Sequence, residues 1–220
     1  MQRLQAEVIL DKSIYLYYGN LFPTEPQFKI PNFVGLALHP RFEKDIKHSA
    51  YETLPWPDGS VAKVQSQDVF EHLEVDRIPA ILDDIFRVLQ AGGVFRLSVP
   101  DYNCPFIRNR CIFDSRGNVA GDLMMGASAA YDRHSLGIKV SFVTNGDAHL
   151  WFPTYDKVVD AVLKSNIRKS SKITFYQFYR NKNDYVCNSV PELEMSVQRA
   201  PPRDDRNGAN PISIVVDFVK

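Results

Sequence analysis

The most regular pattern of apolar and polar positions lies in the middle of the chain. Residues 61–66 and 94–99 are runs rich in β-branched residues, as is typical of strands in a parallel sheet. Between them, apolar residues recur at helical spacing at Ile78, Ile81, Leu82, Ile85 and Leu89. Pro79 suits the first turn of a helix, and we expect the glycine pair at 92–93 to end it. The pattern predicts a β–α–β unit, the building block of a doubly wound sheet.

Further strands are predicted on both sides of this unit. Three precede it, at residues 14–18, 33–38 and a weaker 46–51, and two follow it, at residues 172–179 and 212–219. Thr154 is a typical N-cap for an amphipathic helix before the later strands. Residues 180–211 are polar and are predicted to be a loop or a splayed hairpin. The fold class is therefore α/β, with seven strands in one doubly wound, Rossmann-like sheet.

Composition narrows the range of functions. A chain of 220 residues is most simply one domain, 1–220. Its 26 basic and 26 acidic side chains leave no net charge, which argues against nucleic acid as a partner. Cys104, Cys111 and Cys187 show no CxxC spacing, which argues against disulfides and favours a reducing compartment. No apolar run approaches the ~20 residues needed to span a bilayer. We expect a cytoplasmic protein without membrane insertion.

Three segments resemble a known family. LPWPDGSV, VQSQDVFEHL and RVLQAGGVFRLSVPD are similar to the middle of the class I S-adenosylmethionine-dependent methyltransferases, in particular the type 11-like subgroup often associated with polysaccharide and glycan biosynthesis. The resemblance implies a mostly parallel sheet whose last strand is antiparallel, and S-adenosylmethionine as cofactor. Since such domains also occur as modules joined to glycosyltransferases, the chain could be one module of a longer protein, with a fused or associated glycosyltransferase as partner.

The resemblance also implies where the cofactor binds. Its loop follows the first strand, where one glycine of the expected G-x-G pair is present as Gly19 and the other position is Tyr17. An acidic residue that usually binds the ribose after the second strand is missing; His39 could replace it or be a solvated loop residue. The full set of implied cofactor residues is Tyr17, Tyr18, Gly19, Leu38, His39, Thr53, Leu54, Ser66, Gln67, Asp68 and His72.

Asp68, Glu71 and His72 carry the candidate chemistry. Their i, i+3, i+4 spacing would place them on one face of a helix beginning at Gln67. One interpretation makes Asp68 the general base that takes a proton from an acceptor hydroxyl, with His149 or Asp101 as alternatives. A second lets Asp68, Glu71 and His72 bind a divalent metal ion with a further histidine, His149 or His134. A third gives Glu71 and His72 a structural role, and we assign no metal ligand from the sequence.

The long connection 101–150 is interpreted as an acceptor-side insertion. Loops of this length in compact domains are usually functional, and this one carries aromatic residues such as Tyr102 and Tyr131. The sequence thus predicts an O-methyltransferase acting on a sugar or glycan hydroxyl. The altered cofactor loop and the missing acidic residue keep a second hypothesis open, that of a catalytically inactive binding or scaffolding domain.

Overall fold

A computed structural model describes residues 13–143 and 147–220. Its strands are β1 Ile14–Tyr18, β2 Phe33–Ala37, β3 Asp45–Lys47, β4 Val61–Gln67, β5 Leu89–Pro100, β6 Cys111–Phe113, β7 Val119–Asp122, β8 Ala127–Asp132, β9 Gly137–Phe142, β10 Lys172–Asn181, β11 Asp184–Cys187 and β12 Ser213–Val219. Its α-helices are α1 Ile78–Val88, α2 Pro105–Arg108 and α3 Tyr155–Leu163. Short 3-10 helices span Pro26–Lys29, Phe70–His72, Val75–Arg77 and Asn166–Lys169.

Eight strands form the central sheet, in the order β11-β10-β12-β5-β4-β1-β2-β3. The strands β1 to β5 are mutually parallel, whereas β12 runs antiparallel to both β5 and β10. The predicted mostly parallel sheet with a reversed last strand is therefore confirmed. The predicted count of seven was wrong, because β11 pairs with β10 and adds a strand at the edge. That strand lies within the polar stretch that was predicted as a loop or splayed hairpin.

The helix α1 forms where its periodicity predicted it. Its buried stripe is Ile78, Ile81, Leu82, Ile85 and Val88. The predicted end was wrong, since the helix stops at Val88 and Leu89 already pairs with Val61 in the sheet. The glycine pair lies in the irregular first part of β5 instead. There Gly92 has a φ of +73° and its N–H donates to Lys220 O at 2.8 Å.

The two faces of the sheet are covered differently. Helices α1 and α3 pack on one face against inward-pointing residues such as Leu16, Val64 and Val216. In the described part of the chain, no α-helix packs on the opposite face. Residues 189–203, here called the cover segment, lie there with the short helix Pro26–Lys29. The predicted α/β class with a Rossmann-like, mostly parallel sheet is confirmed. Within these limits, irregular chain covers the face on which a doubly wound sheet would carry further α-helices.

Polar strand residues hold the cover segment in place. Arg96 is fully buried, and its guanidinium binds both carboxylate oxygens of Asp217 at 2.7 Å. The same guanidinium donates to the carbonyl oxygens of Pro191 and Met195 in the cover segment. Gln65 donates to Ser196 O at 2.8 Å. A buried arginine needs such partners. The polar residues of β4 and β5 therefore supply the hydrogen bonds that the irregular backbone of the cover segment does not make within itself.

The insertion 101–150 lies beyond the carboxyl end of β5. It contains α2 and two hairpins, β6–β7 and β8–β9. Backbone hydrogen bonds from Tyr102 N to Pro153 O and from Leu150 N to Glu71 O, each 2.8 Å, join its two ends to the segments beside the sheet. None of the helices in the described ranges combines the length and apolarity that a membrane crossing requires.

Candidate functional site

A cavity of about 250 Å³ opens at the carboxyl ends of β1 and β4. Gly19, directly after β1, has a φ of +101°, a conformation that L-residues rarely adopt. A Cβ at this position would also lie 3.2 Å from Cγ2 of Val69. The backbone conformation therefore favours glycine, and a larger residue would also require the Val69 side chain to shift by a few tenths of an ångström. The cavity is lined by Tyr17, Tyr18, Gly19, Asn20, Phe22, Glu25, Gln67, Asp68 and Val69.

The two tyrosines before Gly19 point to opposite faces of the sheet. Tyr17 packs on the side of the cover segment, and its hydroxyl donates to Glu25 Oε1 at 2.8 Å. Tyr18 lies in the core under the helices, with its ring edge-on to Phe70. Both side chains are walls of the cavity, which stays open between them.

Three buried oxygen atoms around this cavity have no hydrogen-bond partner among the described residues. They are Asn20 Oδ1, Glu25 Oε2 and Asp68 Oδ1. Buried polar atoms in folded proteins are nearly always paired, so an unpaired group needs an explanation. All three are acceptors and two belong to carboxyl groups. The cavity therefore suits a ligand that donates hydrogen bonds and carries positive charge.

Asp68 stands at the end of β4 in an unusual backbone conformation, with a φ of +53°. Its Oδ2 pairs with Arg199 Nε at 3.0 Å, while burial raises the pKa of its carboxyl group. The predicted helix from Gln67 was wrong, because the short 3-10 helix begins only at Phe70. The side chains of Asp68, Glu71 and His72 accordingly do not share the face of an α-helix.

Glu71, His72 and His149 form a compact group, here called the Glu–His cluster. One ligand atom from each lies within 4.8 Å of the others. Both carboxylate oxygens of Glu71 are buried without a hydrogen bond, and Oε1 is 3.8 Å from His149 Nε2. Burial raises the pKa of Glu71, whereas burial and the neighbouring imidazole of His72 lower the pKa of His149 to about 3. His149 is thus a neutral imidazole.

A chain of hydrogen bonds from the insertion orients His149. Tyr102 contacts His149 Nδ1 at 2.5 Å and donates to Asp122 Oδ2 at 2.7 Å. Asp122 also accepts from Arg110 Nε at 2.9 Å. Sequence analysis missed Asp122 and Arg110, because their role depends on how the hairpin β6–β7 folds back onto the sheet. No spacing or motif marks them.

The remaining predicted catalytic and metal residues lie elsewhere. Asp101 accepts hydrogen bonds from Asn103 N at 2.9 Å and from Tyr179 N at 2.6 Å, one on each carboxylate oxygen. This arrangement joins the end of β5 to β10 and offers no support for Asp101 as a base. His134 lies exposed in the turn between β8 and β9, outside the Glu–His cluster. Asp68 is also outside that cluster.

The other predicted cofactor residues divide into three groups. Thr53 lines a second cavity of about 120 Å³ together with Tyr18, Tyr51 and residues of α1. Leu54 and Ser66 are buried, and Leu54 is fixed by Asp84, which accepts its N–H at 2.6 Å. Leu38 and His39 are exposed and line neither cavity.

Two residues beside the Gly19 cavity, and one buried histidine outside both cavities, went unrecognised in the sequence. Glu25 and Arg199 come from irregular segments, where no periodicity points to a position. His48 follows β3, where its N–H donates to Ala37 O at 3.0 Å. Its side chain is buried and its Nε2 has no hydrogen-bond partner among the described residues.

Comparisons with known proteins agree with this geometry. Residues 31–97 match the family described as Methyltransferase domain. A probable S-adenosylmethionine-dependent methyltransferase of Mycolicibacterium smegmatis is 42% identical over 65 residues, which cover 30% of this chain and 24% of that protein. The matched segment thus spans only about a quarter of the relative's length.

Two crystal structures compare over nearly the whole chain. A SAM-dependent methyltransferase from Archaeoglobus fulgidus has a TM-score of 0.52 at 11% identity, over 99% of this chain and 90% of that one. A possible histamine N-methyltransferase from Thermotoga maritima has a TM-score of 0.51 at 11% identity, over 97% and 84%. The chain has the class I methyltransferase fold. The comparisons support S-adenosylmethionine as the cofactor of this methyltransferase fold, and the unpaired acceptors of the Gly19 cavity suit its sulfonium and amino groups.

Proposed function

We propose that the protein transfers a methyl group from S-adenosylmethionine to a hydroxyl of a sugar or glycan. The observation that carries this proposal is the cavity beside Gly19, with its three unpaired acceptor oxygens at the carboxyl edge of a methyltransferase sheet. In open α/β sheets, ligands bind at this edge. The matched family and the fold support methyl transfer from S-adenosylmethionine, whereas the hydroxyl acceptor is part of the proposal.

The donor would be held by two neighbouring cavities. Asn20, Glu25 and Asp68 would receive its amino and sulfonium end, because these groups offer acceptors and negative charge. Thr53 and Tyr51, in the smaller cavity beside Tyr18, would border its adenine. When bound, S-adenosylmethionine supplies an electrophilic methyl group on a positively charged sulfur.

Asp68 is the proposed general base. Asp68 lines the cavity, its Oδ1 is buried without a hydrogen-bond partner among the described residues, and Arg199 binds the other carboxylate oxygen. Since burial raises the pKa of this carboxyl group, it is a better proton acceptor than an exposed aspartate. In the proposed reaction Oδ1 would take the proton of the acceptor hydroxyl. The methyl group would pass to that oxygen as its bond to sulfur breaks, and S-adenosylhomocysteine would be the leaving group.

The part of the acceptor away from its reacting hydroxyl would bind in a cleft of about 420 Å³ between the insertion and β10. Asn103, Asn118, Asn181 and Phe152 are among the residues that line it. Amides can pair with neighbouring sugar hydroxyls, and an aromatic ring can pack on the apolar face of a sugar. Four cationic side chains and one carboxylate favour an acidic or phosphorylated sugar; they are Arg108, Lys157, Arg180, Lys182 and Asp156.

Calorimetry with S-adenosylhomocysteine is the first test. Micromolar binding is the expected result, and a transfer assay with methyl-labelled donor and a panel of acidic and neutral oligosaccharides then identifies the acceptor. Binding without transfer to any carbohydrate would refute the sugar acceptor and leave the donor site standing. An associated glycosyltransferase, proposed as partner, would supply the glycan and would be tested by co-purification.

A second candidate function is a methyltransferase-like binding or scaffolding domain without catalysis. It is favoured by the end of β2, where the resemblance places an acidic residue near Ala37 and the sequence has none. Absence of heat and of thermal shift with millimolar S-adenosylhomocysteine would establish this alternative over the enzyme.

A further inference from the structure

The Glu–His cluster has the composition of a metal-ligand set, and the carboxylate oxygens of Glu71 lack hydrogen-bond partners in the described chain. Glu71 contributes two carboxylate oxygens without a hydrogen-bond partner in the described chain, although the residue is fully buried. His149 Nε2 lies 3.8 Å from one of them, too far for a hydrogen bond. A pair of buried acceptors facing each other is costly unless a proton or a cation lies between them.

The hydrogen bonds around the cluster fix which ring nitrogens carry protons. His72 Nδ1 lies 3.1 Å from Ala148 O, and a carbonyl oxygen can only accept. Nδ1 of His72 therefore carries the proton and Nε2 keeps its lone pair. Tyr102 donates its single hydroxyl proton to Asp122, so its hydroxyl oxygen accepts a hydrogen bond from Nδ1 of His149. His149 Nε2, which faces Glu71, is likewise left with its lone pair.

These hydrogen bonds from the ring N–H groups of His72 and His149 are the arrangement found at metal-binding histidines. Such a histidine usually donates its other ring N–H to a carbonyl, carboxylate or similar acceptor, which fixes the tautomer and the ring orientation. Both histidines of the cluster do so. Arg110 and the backbone N–H of Met124 both donate to Asp122. The carboxylate of Asp122 is therefore held as the acceptor for the Tyr102 hydroxyl, which orients His149.

We infer that Glu71, His72 and His149 bind one divalent transition-metal ion of the zinc class. Two imidazoles and one carboxylate suit Zn²⁺ or Co²⁺ better than Mg²⁺, which prefers oxygen ligands. Three protein ligands are the number found at zinc sites that keep a position for water or a further ligand. His72 is only half-buried, which leaves a route for the ion. The site excludes Asp68 and does not depend on the donor cavity.

The test is cobalt binding by the full chain, prepared without an affinity tag and stripped with a chelator. We expect one equivalent of Co²⁺ with visible absorption bands typical of four or five nitrogen and oxygen ligands. A strong near-ultraviolet thiolate band would instead locate the ion at a cysteine, for which Cys187 is exposed, and would overturn the inference. Mg²⁺ is expected not to compete, whereas Zn²⁺ displaces Co²⁺.

Variants separate the site from general damage. Glu71→Gln keeps the side-chain volume and should abolish stoichiometric binding, while Tyr102→Phe should weaken it about tenfold to a hundredfold by freeing His149. His134→Ala and His39→Ala remove exposed histidines and should leave it unchanged. Circular dichroism of each variant reports folding. Binding that survives Glu71→Gln in a folded protein would show that the ion binds elsewhere and would overturn the site. No cobalt binding by the native protein would also overturn it, in favour of a proton shared between Glu71 and His149. Calorimetry with S-adenosylhomocysteine on the metal-free protein tests the donor site separately from the metal site.

Discussion

Asp68 occupies a left-handed backbone conformation in which most side chains are strained. Asparagine tolerates this region about as well as aspartate, so Asp68→Asn should fold and differ mainly in losing the base. We expect methyl transfer to fall by roughly 10²- to 10⁴-fold, the usual contribution of a general base. Affinity for S-adenosylhomocysteine should change only a few-fold. Asp76→Asn, an exposed aspartate, is the matched control. Transfer at the native rate by the Asp68 variant would remove this residue from the mechanism.

Asp101 gives a prediction for stability against pH. Burial raises the pKa of this carboxyl group to about 7, well above its value in an unfolded chain. Between about pH 4 and 7 the folded state therefore binds a proton that the unfolded state has released. The free energy of unfolding should fall as the pH rises through this range and level off above about pH 7, with a difference of a few kcal/mol.

Urea unfolding at several pH values, compared with Asp101→Asn, isolates this contribution. The variant has no ionisable group at the position, yet it keeps an oxygen that can accept one of the two backbone hydrogen bonds. The pH dependence of the variant should be shallower than that of the native protein. Equal slopes would show that Asp101 titrates at its ordinary pKa.

At the residue scale the sequence predicted positions adjacent to a motif and missed those that depend on tertiary contact. Gly19 and Asp68 follow predicted strands, and the structure places both on the cavity. Tyr102 was predicted only as an acceptor-side aromatic residue, and its hydrogen bond to His149 spans 47 residues. Arg199, 131 positions after Asp68, reaches it only because the cover segment crosses the sheet. Nothing local in a sequence encodes such contacts.

Among the elements, the cover segment depends on one ion pair. Arg96 and Asp217 are both almost fully buried, and Arg96 also binds carbonyl oxygens of the cover segment. Arg96→Met should lower the free energy of unfolding by about 3–5 kcal/mol, because it leaves the Asp217 carboxylate buried without its partner. Urea unfolding measures this loss.

Asp217→Leu, added to Arg96→Met, should recover part of that loss. The second substitution removes the unpaired charge, while the hydrogen bonds to the cover segment stay broken. The pair should therefore be more stable than Arg96→Met by at least about 1 kcal/mol. Purely additive losses would show that the carboxylate finds another partner.

Helix and strand positions were predictable because each has a period that can be read from apolar residues. The strands β1, β4 and β12 and the helix α3 lie close to where the pattern placed them. The cover segment is irregular and has no period, so its packing on the sheet could not be anticipated. Its polar partners on the strands, such as Arg96, were the available signal, since a charged residue in an otherwise apolar strand requires a buried counterpart.

For the whole molecule, the α/β class and the mostly parallel sheet followed from the sequence, because the β–α–β motif restricts the possible topologies, whereas the number of strands did not. The structure of the acceptor cleft could not be predicted from the sequence. The insertion forms its own hairpins, and the cleft beside it is shared with β10 and with residues just before α3. Residues from the insertion, from the start of α3 and from the end of β10 meet there, and only the assembled sheet brings them together.

Donor binding should stabilise the whole domain by mass action. A ligand present at one hundred times its Kd adds about 2.7 kcal/mol to the free energy of unfolding. For a domain of this size that corresponds to a rise in Tm of about 5–10 °C. S-adenosylhomocysteine should produce this shift and NAD should not, because the chain has no GxGxxG loop.

The same measurement on two variants locates the effect. Asn20→Ala removes one of the unpaired acceptors of the Gly19 cavity and should reduce the shift, whereas Asn118→Ala, in the acceptor cleft, should preserve it. The cavity and the cleft share no lining residue, so each variant probes one of them. A shift reduced by Asn118→Ala and not by Asn20→Ala would move the donor site away from Gly19 and into the cleft.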